Sequence, residues 1–199
     1  MKLGDVGLVL SGLSPRGGLQ ASENGSLAIQ LGDISANGEI DLRSLVRIAD
    51  NGVASKHFVG QGDVLFRSRG MHTIAVAVGA VFKEPAIAVM PLFIIRPNPD
   101  IVDSKYLEWF LNQPAAQRHF DQGAAGTSLR MIRKDVLESV NLDLPPLSVQ
   151  RVIAELADLA SRERALSHLL ADRRHERLAL GLAELSRETS LPPKDGIKR

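Results

Sequence analysis

The residues best suited to touching a charged ligand lie in two short blocks. In "FRSRGMHT" (66–73), Arg67 and Arg69 stand two apart around Ser68, after an apolar run and before a glycine turn, with His72 just beyond. In "GAAGTSLRMIRK" (123–134), small residues let backbone approach a groove or a phosphate closely. Thr127, Ser128, Arg130, Arg133 and Lys134 follow in the same block. A guanidinium can donate two parallel hydrogen bonds to guanine O6 and N7, or clamp a phosphate. With Lys56 these residues form a candidate DNA-contacting set, Arg133 and Lys134 being suited to phosphate. The plainer reading is two surface loops carrying ordinary solvated cations. Charge favours DNA only weakly: residues 54–73 carry a net +2 and residues 116–134 a net +3, in a chain whose net charge is +1.

Other chemistries find little footing. "DISANGEIDLRS" (33–44) imitates a calcium loop, with Asp33, Ser35 and Asn37 at positions 1, 3 and 5 and Gly38 at position 6. Ser44 stands where a bidentate Glu is needed, so an Asx-rich turn is expected instead. "GAAGTS" lacks the lysine of a phosphate-cradling loop, and no G-x-G-x-x-G opens a helix. The five histidines form no chelating pair, so no metal site is expected. His168 and His175, seven apart, read as a solvated helix face. No serine sits in a G-x-S-x-G elbow and no paired carboxylates stand out, which argues against an enzyme. With no cysteine, disulfides and thiolate metal sites are excluded, and a reducing cytoplasm is the natural compartment. The start lacks the apolar core of a signal peptide, and no stretch reaches the ~18 apolar residues of a membrane span.

The elements that must position these residues fall into two regimes. At 44% hydrophobic and 24% charged, the 199-residue chain can bury a core. Up to about residue 97, "LAIQLGDI", "DVLFRS", "TIAVAVGAV" and "AIAVMPLFIIRP" read as short strands. Gly17-Gly18, Asn24-Gly25, Asn37-Gly38, Asn51-Gly52 and Gly60-Gln61-Gly62 read as turns. Helices follow. "DSKYLEWFLN" sets Tyr106, Leu107, Phe110 and Leu111 on one face behind an Asp103 or Ser104 cap, and "QPAAQRHFDQG" opens at Pro114 and closes at Gly123. "RKDVLESV" reads as a helical turn and "VNLDLP" as a closing strand.

Pro145 and Pro146 end that regime. From Ser148, a candidate cap, to about Ser186 the spacing predicts one helix. Val149, Val152, Leu156, Leu159, Glu163, Leu166, Leu170, Arg173, Arg177 and Leu180 recur at 3–4 spacing, a coiled-coil seam with charges at 163, 173 and 177. Such a helix is roughly 55 Å long, against a domain about 30 Å across. Its seam therefore needs another helix, and with no Gly or Pro over 160–180 to turn a hairpin, a partner chain is expected to supply it. Val152, Leu156, Leu159, Leu166 and Leu170 are the expected interface. The fold class is α+β: a domain of short strands and a few short helices over 1–146, a long coiled-coil helix over 147–186, and a polar tail over 187–199.

The blocks "LGDVGLVLSGLSP", "IQLGDISANGEID", "GQGDVLFRSRG", "YLEWFLN", "GAAGTSLRMI" and "VNLDLPPLSVQRVIAEL", in that order, resemble the specificity subunit of type I restriction-modification systems. The likeness spans residues 2 to about 156, and the helix carries it to about 186. The strand–P-P-L-x-x-Q–helix junction is its most specific feature. The resemblance implies a target recognition domain that reads double-stranded DNA, with no catalytic site and no cofactor of its own. It implies a methyltransferase subunit as partner, which binds S-adenosylmethionine and methylates adenine, and a restriction subunit beside it. Such subunits usually carry two recognition domains joined by two helices packed antiparallel; this chain has one of each. The resemblance therefore implies a homodimer reading a bipartite, palindromic site. On the resemblance, "LFRSRG" points to Arg67, Ser68, Arg69 and His72, and "AAGTSLR" to Thr127, Ser128 and Arg130. The competing reading is a non-catalytic adaptor that docks a protein partner through its helix and binds no DNA.

Overall fold

A computed structural model describes residues 1–15, 17–70, 73–79, 82, 84–124 and 130–188. The chain divides into two compact units, Met1–Ala154 and Glu155–Arg199.

Two four-stranded sheets form the first unit. The first has the order β1 (Gly7–Ser11), β8 (Leu92–Pro97), β5 (Val64–Arg67), β6 (Ile74–Ala77), and every pair in it is antiparallel. The second has the order β3 (Val46–Ile48), β2 (Ala21–Ile29), β7 (Ala86–Ala88), β4 (Phe58–Val59), with β2 and β7 parallel. Side chains alternate across a strand, and both faces of the first sheet are covered. Val64, Phe66, Phe93 and Ile95 pack with the helices, while Leu65, Leu92 and Ile94 pack with Ile29, Val59, Ala86 and Ala88 of the second sheet. That double burial is why "VLF" and "LFII" read as continuous apolar runs. A third cluster, Ala28, Ile48, Ile87 and Val89, lies on the far face of the second sheet.

The helical layer comprises α1 (Leu3–Val6), α2 (Ser104–Leu111), α3 (Pro114–Gly123) and α4 (Lys134–Glu138). Three of the four short helices stand where the sequence puts them, and α1 is unexpected. Asp103 caps α2, accepting from the backbone N–H of Lys105 and Tyr106 at 2.9 and 3.0 Å, so of the two candidate caps the carboxylate serves. Tyr106, Leu107, Phe110 and Leu111 are the buried face of α2. Phe120 of α3 meets Phe66 edge-on, ring centroids 5.0 Å apart, which seats α3 directly behind β5.

Local expectations change at several points, the first being "LAIQLGDI", which is strand only to Ile29 and turns into a 3-10 helix at Leu31–Asp33. Asn24-Gly25 is not a turn between strands; it lies inside β2, where Ala21 and Ser26 both oppose Ile48 and the intervening residues form a bulge. A Cβ on Gly25 would stand 1.8 Å from the Ile48 carbonyl oxygen, so the glycine serves close backbone approach. "AIAVMPLFIIRP" is two strands in different sheets, separated at a cis Met90–Pro91 bond. "VNLDLP" contributes one antiparallel bridge, Asn141 to Lys2, rather than a strand. The last helix, α5, runs over Leu147–Glu188, one residue earlier than expected. The Pro146 carbonyl accepts from Val149 and Gln150 N–H, leaving Ser148 inside the first turn and not the cap.

α5 is 42 residues without interruption. Its opening turns belong to the first unit, because Gln150 and Ala154 are 1% and 6% exposed. The boundary between the two compact units falls after Ala154, inside the helix. No described helix is long and apolar enough to cross a membrane.

Candidate functional site

Backbone pairing brings the two cationic blocks together. Beyond Arg67, the last residue of β5, the chain continues to a bridge between Arg69 and Met131. Ile132 N–H donates to the Ser68 carbonyl at 2.8 Å and Gly70 N–H to the Arg130 carbonyl at 3.2 Å. Residues 68–70 and 130–132, far apart in the sequence, thus form one edge. Helix α4 starts two residues after that edge and locks to the end of α3. A Cβ on Gly123 would stand 2.4 Å from Val136 Cγ1, and the His119 ring nitrogen lies 3.1 Å from both the Val136 carbonyl and Ser139 Oγ.

The side chains divide by role. Ser68 is 1% exposed and its hydroxyl donates to the Pro91 carbonyl, which turns it into the sheet and away from solvent. Arg67 is half-buried; its Nη1 donates to the Ile34 carbonyl at 3.1 Å and its Nε is buried without a partner. That bond ties the 33–44 loop to the end of β5. Arg69 is exposed. Arg130 Nη2 lies 2.6 Å from Asp121 Oδ1, Arg133 Nη2 2.8 Å from Asp135 Oδ2, and Lys134 Nζ 3.4 Å from Glu138 Oε1. Each cation of the 130–134 segment therefore carries a carboxylate from this chain. Lys56 is exposed in the 3-10 turn Ser55–His57 that precedes β4 of the other sheet, apart from this edge. His72, Thr127 and Ser128 lie outside the described residues.

A hollow of about 370 Å³ opens beside the edge, lined by Gly70, Thr73, Asn112, Gln117, Asp121 and Arg130 among others. Its polar floor is already committed. Asn112 pairs with both backbone groups of Ala75, at 2.8 and 2.9 Å. Gln117 donates to the Leu111 carbonyl and accepts from Thr73 Oγ1, both at 2.8 Å. Of its charged lining, the Asp121–Arg130 pair is left to meet a ligand. In the sequence Asp121 is only the one acid within the net +3 of residues 116–134, and nothing there singles out Asn112 or Gln117. Nothing in the sequence marks which carboxylate an arginine will find.

A larger hollow, about 600 Å³, is lined by the Gly60–Asp63 turn, Arg96, Asp103 and Arg151 among others. Its buried Asp63 takes Arg96 Nε at 2.8 Å and Nη2 at 2.9 Å, and also accepts from Gly60 N–H. That hydrogen-bonded pairing, with the attraction of the Asp63 charge, raises the Arg96 pKa against the opposing effect of burial. The pair is internally satisfied and reads as architecture. The Asp33 carboxylate of the calcium-like loop is likewise spent, on Gln30 N–H and Ser44 Oγ. Among the described residues no group of three His, Asp or Glu could hold a metal ion.

On α5 the apolar residues expected at an interface all face solvent. Val152, Leu156, Leu159, Leu166 and Leu170 are 54–62% exposed. At about 100° per residue they lie on the helix face opposite Gln150 and Ala154.

No protein-family model matches the chain, and no curated protein matches it. Solved structures do. A chain of a type I restriction-modification system, in a study of its complex assembly and conformational transition, aligns with a TM-score of 0.67 at 22% identity over 94% of this chain. The HsdS subunit from Thermoanaerobacter tengcongensis gives 0.64 at 19% identity over 97%. The fold is that of the type I restriction-modification S subunit. The S subunit from M. genitalium aligns with a TM-score of 0.53 at 16% identity over 94% of this chain. This chain spans 44%, 51% and 42% of those three, about half the length of each.

Proposed function

We propose that this chain is a non-catalytic subunit that reads DNA sequence for a type I restriction-modification complex, acting as a homodimer on a bipartite palindromic site. The observation that carries the reading is the paired edge of residues 68–70 and 130–132, which brings the two cationic blocks together on an S-subunit fold, with Arg130 beside an open hollow and Arg69 exposed on the other face of the pairing. Arg133 and Lys134, at the start of α4, are the candidate phosphate contacts that fix register, made by leaving Asp135 and Glu138. The second support is the solvent-facing stripe of α5, which a second copy would cover. A two-fold dimer presents two identical heads to DNA, and site symmetry mirrors protein symmetry. On this reading a methyltransferase subunit binds S-adenosylmethionine, a restriction subunit joins where one is present, and the assembly is cytoplasmic.

Titration with random-sequence duplex DNA tests it. Binding at about 50 mM salt that falls steeply by about 200 mM is expected, because phosphate contacts release counterions. Absence of any salt-dependent binding by the folded chain, alone and with the methyltransferase subunit, would count against it. One observation favours a second reading. All three cations of the 130–134 segment are neutralised by the chain's own carboxylates. A protein-docking adaptor that binds no DNA would have such a surface, and the same titration separates the two.

A further inference from the structure

The Asp121–Arg130 pair joins the paired edge to the end of α3, and DNA recognition by simple charge does not account for it. A carboxylate 2.6 Å from the guanidinium opposes the polyanion that the guanidinium is meant to meet. Both partners are about half exposed, at 52% and 42%, so an incoming ligand reaches them. Both are held from behind. Arg130 is fixed through its carbonyl to Gly70 N–H, and Asp121 sits in the last turn of α3, which α4 locks in place. The amides of the floor are committed to backbone and to Thr73 and cannot replace either partner.

We propose that Asp121 is a specificity-determining residue: its carboxylate keeps Arg130 from clamping phosphate and reserves the guanidinium for the neutral acceptor edge of guanine. The inference rests on the DNA-recognition reading. A phosphate at Arg130 must lie beside a second negative charge, and at this spacing that repulsion is comparable to the attraction gained. Guanine O6 and N7 carry no net charge and meet no such penalty. Arginine has five N–H donors, so a guanidinium with one nitrogen on Asp121 still has donors for a base. Arg69, exposed across the bridge, has no carboxylate partner among the described residues and is the phosphate-type contact of the same edge.

The experiment measures binding of random-sequence duplex DNA to the full chain across a salt series. It uses the unaltered protein, D121N, R130A, the D121N/R130A double variant and R69A. D121N is expected to bind about two- to fivefold more tightly, the range of an exposed charge pair. Its salt slope steepens by about one. R130A binds random DNA as the unaltered chain does, the double variant behaves like R130A, and R69A weakens. Thermal melts accompany each variant; D121N should melt normally, since removing an acid from a helix C-terminus relieves an unfavourable dipole contact. If D121N gains nothing, or the gain survives in the double variant, Asp121 does not act through Arg130. If no protein in the set binds DNA, either alone or with the methyltransferase subunit, the recognition reading itself falls and this inference with it.

Discussion

Gln150 is where three segments of the first unit are joined by one side chain. It is 1% exposed. Its amide donates to the Ile101 and Pro145 carbonyls at 2.9 and 2.8 Å and accepts from Asp103 N–H at 2.9 Å. Gln150→Ala strands those groups and should lower unfolding free energy by about 2–4 kcal/mol, read by urea denaturation. Tyr106 gives a pH signature. Burial, and then the Asp143 charge, push its phenol above the ordinary value of 10.0, and its hydroxyl donates to the Asp143 carbonyl. A raised folded-state pKa favours the neutral form. Its stabilisation is complete below the ordinary phenol value and is lost as pH rises through the folded one. Thermal melts across that alkaline window should fall more steeply for the unaltered chain than for Tyr106→Phe, which should itself cost about 1 kcal/mol at neutral pH. At this scale the sequence was partly legible. The cationic residues were visible as a set, but Ser68 turns inward because the strand end needs a donor for Pro91. Arg67 is drawn to a loop carbonyl thirty-three residues away.

Among the elements, those specified by local chemistry were legible. Proline at the start of α3, an aspartate cap on α2 and the period of α5 are written in neighbouring residues, and each appears where they put it. Elements decided by distant partners were not. The bulge in β2 exists because Gly25 lets the β3 backbone approach, and the split of 86–97 into two strands places its halves in different sheets. The α5 stripe yields its own prediction. In a homodimer Leu159→Asp or Leu166→Asp would bury an unpaired charge. Sedimentation should then show the dimer lost while the melt of the first unit stays in place, since both positions lie beyond Ala154. A dimer that survives both substitutions would move the interface elsewhere.

Taken whole, the molecule builds its site from tertiary structure. Strand β5 and the segment before α4 meet through a few backbone hydrogen bonds, and no periodicity in the sequence foretells that pairing. The two basic blocks were identifiable separately; their adjacency, and the acids that neutralise one of them, were not. A near-neutral chain with self-paired cations should bind DNA weakly alone and gain affinity within a complex. The most direct test of recognition by a two-fold pair of heads is a map of modified bases in genomic DNA from cells with and without the gene for this chain. Methylated adenines should occupy one motif made of two inverted half-sites at fixed separation, and should vanish when the gene is removed. Identical methylation in the two cell lines, or a gene-dependent motif with no inverted symmetry, would contradict it.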